Sequence, residues 1–565
     1  MQLKKYHSTR HGFPFRLLFF IFLPCILSCG DNWISVSDPD KMDATAQNEL
    51  SQMLSASGED LVKIDDSAVL QRSLWVKEYY KSNQYKLVWS EAAVAGAKAD
   101  TLIDLIKNAH LLGLLPDGYH CSSITSLKIE IDKDSLSKGI RRKPKMWAKF
   151  DLLLTDALLS MMRDLHEGTR SVDTLYGKHL KPKDSVFYYN YFRQVMKVGS
   201  LKEGLAELEP QTEGYKSLKE ALVKFIDSAD LSKSYTYLRY PYKDSSAFVD
   251  SLIIRLKEGG WLDSMTRKVD SALLAKTIIK IQDDYDLGRD GKPGRRLIGF
   301  LNRTDKEVLR TIYLNLDRHR QLQHVLPDDY IGVNLPGFYL YVKENNRNLL
   351  YSRVVVGKPS TRTPILNSYL TDIVTYPEWT IPNGIIAKEI LPGLRRNSSY
   401  LARRGYKLLG KGGQSVNPHA VNWHKYSGTI PYRVVQGSGD NNALGVLKFN
   451  FQNPYSVYMH DTNQRYLFGN DNRSLSHGCV RVQEWEKLAH YVIARDNAIS
   501  RRGTAVEGID SLNAWLSRKE NHILQLKGRI PLFFTYITAE GKDGKLVLHE
   551  DIYGEDQGLR HFYAL

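Results

Sequence analysis

The stretch from Tyr455 to Val482 constrains this chain more than any other. An apolar run, Tyr455 to Met459, ends at His460, and a polar loop leads to Ser474-Leu475-Ser476-His477-Gly478-Cys479-Val480-Arg481-Val482. Two short apolar runs, the second entered through a glycine, predict two strand ends meeting across a tight turn. Such a turn carries Cys479 toward His460, nineteen positions earlier. A thiol reacts as its thiolate, and a free cysteine is mostly protonated at neutral pH. An imidazole within hydrogen-bond reach can take that proton. Gly478 permits a sharp turn, with the Gly478 and Cys479 amides aimed at one oxyanion. The competing reading is a buried structural cysteine beside two incidental histidines.

Further motifs flank this stretch in order: Trp379-Thr380-Ile381-Pro382, Lys388-Glu389-Ile390-Leu391-Pro392, Asn442-Ala443-Leu444-Gly445, His460-Asp461-Thr462 and Asp551-Ile552-Tyr553-Gly554. A histidine, a loop of this length and Ser-His-Gly-Cys-Val resemble the signature of the L,D-transpeptidase catalytic domain. The wider set resembles the large, multidomain periplasmic branch of that family. Many smaller members carry Asn two positions after the cysteine; this chain has Arg481, as the large branch does. The resemblance runs from about Leu74 to the C-terminus. It implies a multidomain α+β fold. An N-terminal α-helical scaffold with a small helical peptidoglycan-binding-like module would precede a mostly-β catalytic domain with a capping insert.

Composition excludes some classes. A length of 565 residues permits three or four domains, and 42% hydrophobic with 25% charged residues is ordinary for globular proteins. The formal charge of +15 comes from Lys and Arg scattered among 63 acids, with no basic stripe along a helix. It reads as attraction to anionic polymers or lipid headgroups, not as nucleic-acid binding. Lys4, Lys5, Arg10 and Arg16 precede an apolar run, Leu17 to Leu27, too short to span a bilayer. Ile26-Leu27-Ser28-Cys29 resembles a lipoprotein box, which would make Cys29 the lipidated first residue of the exported chain. A plain signal peptide cut near Ser28 is the alternative. Of four cysteines, Cys25 and Cys29 belong to this leader, so only Cys121 and Cys479 remain for the folded part. A lone cysteine in a His-rich motif of an exported protein suggests a reactive thiol; Cys121 reads as idle.

The expected boundaries follow. Residues 1–29 form the signal peptide, 30–65 a flexible tether and 66–242 the helical scaffold, where Leu102, Leu105, Ile106 and Ala109 recur at helical spacing. Residues 243–302 form the peptidoglycan-binding-like module, although Ile281-Gln282 stands where Phe-Gln is usual. The module either binds wall or only sets the height of the catalytic domain. A connecting helix spans 303–328. The catalytic domain spans 329–565, beginning as antiparallel sheet from Tyr330 and closing with a hairpin that pairs with it. The Arg-, Gly- and Tyr-rich insert at 383–441 is a lid over the cleft or a solvated loop.

From the residues alone, the chemistry is acyl transfer through a Cys479 thioester with His460 as base. His477 serves either auxiliary catalysis or a structural bond, and Ser476 reads as a turn-stabilising hydroxyl. Arg481 stays protonated, so it forks onto a substrate carboxylate or anchors a carbonyl. Tyr458 and Trp379 line the cleft or pack as core. No cluster has metal-ligand spacing, and no cofactor is expected. The resemblance supplies the substrate: peptidoglycan stem peptides as donor and acceptor, D-alanine released, 3→3 cross-links formed and carbapenem-type β-lactams as slow acylating agents. It places the protein in the periplasm of a Gram-negative envelope, lipid-anchored, with cell-wall synthases as partners. Hydrolysis by the same fold, attachment of a protein to the wall, and a non-catalytic wall-binding lipoprotein are the rival readings.

Overall fold

In the computed structural model the described residues are 36, 38–56, 61–65, 68–136, 143–169, 183–197, 199–242, 244–285, 287–499, 507–559 and 563. The expected leader, with the expected lipidation site Cys29, lies outside them. Among them no helix is long and apolar enough to cross a membrane.

The scaffold is organised on one 24-residue helix, Pro144–Glu167 (α2 here; α1 is Pro39–Ala56). Pro144 suits the first turn because its missing N–H would have no intrahelical partner there. Gly168, at φ +84°, ends the helix. Shorter helices wrap α2 so completely that Asp151, Thr155, Asp156 and Ser160 are buried with its leucines. Buried carboxylates are tolerated only when hydrogen-bonded. Asp151 accepts the Val88 and Trp89 amides at 3.0 and 2.9 Å, and Asp156 accepts the Arg72 amide and His120 Nε2, both at 2.7 Å. Each carboxylate therefore pins a loop to the axial helix. Burial still pushes the Asp151 carboxyl up to about 6.

Three expectations need correction. Residues 39–56, expected within a flexible tether, form α1 and pack on α2 through Met42, Ala46, Leu50 and Leu54. The apolar stripe is narrow and includes an alanine, so average composition hid it. The scaffold and module also divide differently. Helix α3 (Glu213–Ser228) shares its core with the module helices α4 (Ser245–Glu258), α5 (Ser271–Asp284) and α6 (Arg295–Leu301), not with α2. Third, the closing hairpin Ala539–Lys542 and Lys545–Leu548 forms a separate two-stranded sheet. It packs on α3 and α7 because Ala539 and Leu548 face the module core.

The expected connector is helix α7, Asp305–Gln321, with a Thr304–Glu307 capping box; residues beyond Gln321 leave the helix. Its role is larger than linkage. It is buried on nearly every side, where scaffold, module and C-terminal tail meet. Arg318 holds Asp556 at 2.7 Å, and Arg320 donates to the Leu112 carbonyl and to Tyr215 Oη.

Nine strands build the catalytic sheet: β1 Tyr330–Asn334, β2 Tyr339–Glu344, β3 Arg347–Gly357, β4 Leu366–Thr375, β5 Leu447–Phe451, β6 Met459–His460, β7 Ser474–Ser476, β8 Val480–Val482 and β9 His522–Thr535. Their order is β7-β3-β8-β6-β5-β4-β9-β1-β2, and β2 pairs again with β3, so eight strands close into a ring with β7 attached. The antiparallel sheet expected from Tyr330 is formed by β1, β2 and β3, whereas β6–β8, β7–β3 and β9–β1 run parallel. Alternation sends Ile331, Val333, Leu340, Val354, Val356, Met459, Val480 and Val482 into one core, against helix α8 (Trp485–Ile499). The insert has its own small core of Ile381, Ile390, Leu394, Trp423 and Val434. A solvated loop has no such core.

Candidate active site

The register of β6 and β8 builds the site. Met459 pairs with Val480 and His460 with Arg481 in parallel. Met459 and Val480 point into the core, so alternation turns His460 and Arg481, with the flanking Tyr458 and Cys479, to the opposite face. On β5, antiparallel to β6, Lys448 stands opposite His460.

His460 is buried, and its Nδ1 donates to the Asp461 carbonyl at 2.5 Å. A carbonyl only accepts, so the proton resides on Nδ1 and the lone pair on Nε2, as a base requires. Burial, then Arg481 and Lys448, push the imidazole down to about 3. Asp461 is held in turn: its Oδ2 accepts the Val446 amide and Arg465 Nη2, each at 3.1 Å. Gly445, at φ +65°, is required there, because a Cβ would lie 2.2 Å from Asp461 Oδ2.

Burial likewise pushes the Cys479 thiol up. Hydrogen bonds from the Tyr458 main chain and hydroxyl, with Lys448 and Arg481 nearby, pull the other way and lose. Cys479 and His460 therefore rest as a neutral pair, not as a thiolate–imidazolium. Alkylation of the Cys479 peptide by iodoacetamide should rise about tenfold per pH unit until above about pH 8.5. A plateau already reached near about pH 6 would contradict the neutral pair.

The Ser-His-Gly-Cys turn is fixed by its own hydroxyl. Ser476 Oγ donates to the Cys479 carbonyl at 2.6 Å and accepts the Gly478 amide at 3.1 Å. This corrects the expectation for Gly478, whose N–H is already taken; the Cys479 N–H is the turn amide left for an oxyanion. Gly478 itself sits at φ +120°, where a side chain is strained. Thr363 Oγ1 donates to the Gly478 carbonyl at 2.8 Å and accepts the Gly357 amide at 2.9 Å. Tyr553 Oη accepts the Thr363 amide at 3.1 Å and donates to the Gly357 carbonyl at 2.9 Å.

Arg481 reaches Thr462 Oγ1 at 3.3 Å and Gln464 Oε1 at 2.8 Å, so it braces the loop after His460. Its Nε is buried without a partner among the described residues. His477 faces the insert instead of the sulfur: Nε2 meets Glu389 Oε1 at 2.6 Å. Trp379 hydrogen-bonds Tyr458, which hydrogen-bonds Cys479, so both aromatic residues belong to the site's wall. Sequence reading missed Lys448 and Thr363, and it named Glu389 and Tyr553 only as motif positions without a role. Lys448 had a signal, a lone charge alternating with Leu447 and Phe449 on an apolar strand; its Nζ lies 4.1 Å from the Tyr458 ring centre. Among the described residues no group of three His, Cys, Asp or Glu side chains is placed to hold a metal ion.

Residues 328–506, the span of this geometry up to α8 and just beyond, match the family model for the L,D-transpeptidase catalytic domain. That stretch is an L,D-transpeptidase catalytic domain. Residues 74–222 match the family model for a scaffold domain. A curated Haemophilus influenzae protein assigned by name to the L,D-transpeptidases is 34% identical over 260 residues, 45% of this chain and 50% of that protein. The matched stretch thus spans half the length of that relative. Among solved structures, a cysteine-to-serine mutant of the Enterococcus faecium L,D-transpeptidase is 14% identical, covering 37% of this chain and 50% of its own. An L,D-transpeptidase avibactam carbamoyl enzyme is 12% identical, covering 60% and 99%. Both have a TM-score of 0.15, at which the likeness carries no argument.

Proposed function

We propose that this L,D-transpeptidase-family chain transfers peptidoglycan stem peptides through a Cys479 thioester. The observation that carries the reading is a cysteine and a tautomerically fixed, neutral histidine on one face of adjacent parallel strands. His460 Nε2 takes the thiol proton as the sulfur attacks the carbonyl of the third stem residue, and the Cys479 N–H receives the oxyanion. Collapse breaks the bond to the terminal D-alanine, whose amine leaves with the proton from His460. The side-chain amine of a third residue on a neighbouring stem then attacks the thioester, giving a 3→3 cross-link and restoring the thiol. The partnerless Arg481 Nε, with Lys448, supplies positive charge for a stem carboxylate. Carbapenems would acylate the same sulfur. The leader composition supports export and a lipid anchor at Cys29; the resemblance to the periplasmic branch implies a Gram-negative envelope and cell-wall synthases as partners.

Incubation with purified disaccharide-tetrapeptide tests the reading. A dimer lacking one D-alanine supports transfer; a shortened monomer alone, or unchanged substrate, overturns it. The turn's bracing gives a further expectation. Thr363→Val should lower kcat for D-alanine release about ten- to a hundredfold with KM little changed, through misplacement of the sulfur. Thr363→Ser should restore it. Loss from both variants alike would assign Thr363 to packing.

A further inference from the structure

The insert touches the catalytic turn through one carboxylate. Residues 383–441 carry nine Lys or Arg side chains and two acids, Glu389 and Asp440. Asp440 is held at the foot of the insert by Lys519 at 2.5 Å and Tyr376 Oη at 3.0 Å. Glu389 instead stands on a single π-helical turn, Ile386–Ile390. Ile386 and Ile390 sink into the insert core and leave Glu389 on the outside. Such turns are rare and concentrate at functional sites. From this one, Glu389 Oε1 accepts His477 Nε2–H at 2.6 Å.

An ionised carboxylate only accepts, so the His477 proton resides on Nε2 and the lone pair on Nδ1. That Nδ1 has no hydrogen-bond partner among the described residues. His460 is set the other way, with Nδ1 protonated and Nε2 open. The two imidazoles also differ in surroundings. His460 is buried, with the cations Lys448 and Arg481 beside it. The His477 and Glu389 side chains are 34% and 48% exposed, which leaves both open to an incoming group. A cationic side suits the donor's carboxylate, whereas a lone exposed carboxylate suits a cation. The acceptor's side-chain amine is such a cation near neutrality. A carboxylate behind an imidazole fixes its tautomer and stabilises the imidazolium that forms when it takes a proton.

We propose that His477 is the base that deprotonates the acceptor amine, with Glu389 as its positioning residue. The inference rests on the thioester reading above. The incoming ammonium docks at Glu389 and gives one proton to His477 Nδ1, which passes it to solvent. The neutral amine then attacks the thioester carbonyl. The C–N bond forms, the C–S bond breaks, and a second proton moves from nitrogen through His460 to Cys479 Sγ.

The test acylates the full chain with a tetrapeptide donor whose side-chain amine is acetylated, so that it cannot accept. Either disaccharide-tripeptide, which can only accept, or hydroxylamine, whose nitrogen is unprotonated near neutrality, is then added. Rapid-quench mass spectrometry follows each step. His477→Gln should slow transfer to the tripeptide about a hundredfold, and Glu389→Gln about tenfold. Acylation and transfer to hydroxylamine should change less than about threefold in both, because neither step removes a proton from an ammonium. Equal slowing with tripeptide and hydroxylamine, equal slowing of acylation and transfer, or an unchanged tripeptide rate overturns the assignment. A wild-type chain that never acylates overturns the thioester reading, and this assignment with it.

Discussion

Replacing His460 with glutamine is expected to slow acylation of Cys479 by about 10²–10⁴-fold. Glutamine fills a similar volume and can still donate to the Asp461 carbonyl, so the loop keeps its bond while the base disappears. The imidazole is pushed down to about 3, so no charge is lost from the folded site near neutrality. The same depression carries a stability signature. The unfolded chain takes up a proton at this residue below about pH 6.5, whereas the folded chain resists until about 3. Folding stability at this residue is therefore full above that window and declines as pH falls through it. His460→Gln should flatten that part of the melting curve against pH. An unchanged acylation rate in the variant would move the base elsewhere.

Arg318→Met is expected to cost about 3–5 kcal/mol, because it leaves Asp556 as a buried, uncompensated carboxylate. Arg318 and Asp556 are 0% and 1% exposed and meet at 2.7 Å, where α7 receives the C-terminal tail. Asp556 also accepts Thr538 Oγ1 at 2.7 Å, and its amide donates to Asp551 at 2.9 Å. Asp551 accepts Tyr536 Oη at 2.7 Å, and that hydroxyl accepts the Tyr553 amide at 2.8 Å. Tyr553 then braces Gly357 and Thr363 beneath the Gly478 turn. A fault at α7 thus reaches the Cys479 turn through hydrogen bonds already named. The Arg318→Met, Asp556→Leu double variant should recover most of the loss in urea unfolding, since a well-packed apolar pair replaces a buried ion pair at little cost. A double variant no more stable than the single one would show that packing, not the orphaned charge, sets the penalty.

Legibility in the sequence followed local signal strength. The strand ends at His460 and Cys479 were readable because period two and a glycine are both local. The alternation from Ile331 to Val342 was equally plain. What escaped needed long-range pairing. Parallel pairing of β6 with β8 cannot be told from antiparallel by alternation, since both turn the same residues inward. The destination of the Leu546–Leu548 strand depended on α3, over three hundred positions away. Helix α1 hid behind a stripe of one alanine and few large residues. At the site, Glu389 and Thr363 carried no local mark of their role, because their partners His477 and Gly478 lie on other elements. The occupied Gly478 amide depends on a rotamer of Ser476 that composition does not specify.

The most direct test is intact-protein mass spectrometry after mixing the chain with a disaccharide-tetrapeptide and quenching in acid. A sulfur primed by a neutral imidazole should yield an adduct equal to the donor less one D-alanine, mapped to Cys479, faint in His460→Gln and absent in Cys479→Ala. An adduct that survives Cys479→Ala, or a wild-type chain that turns over donor with none at Cys479, would contradict it.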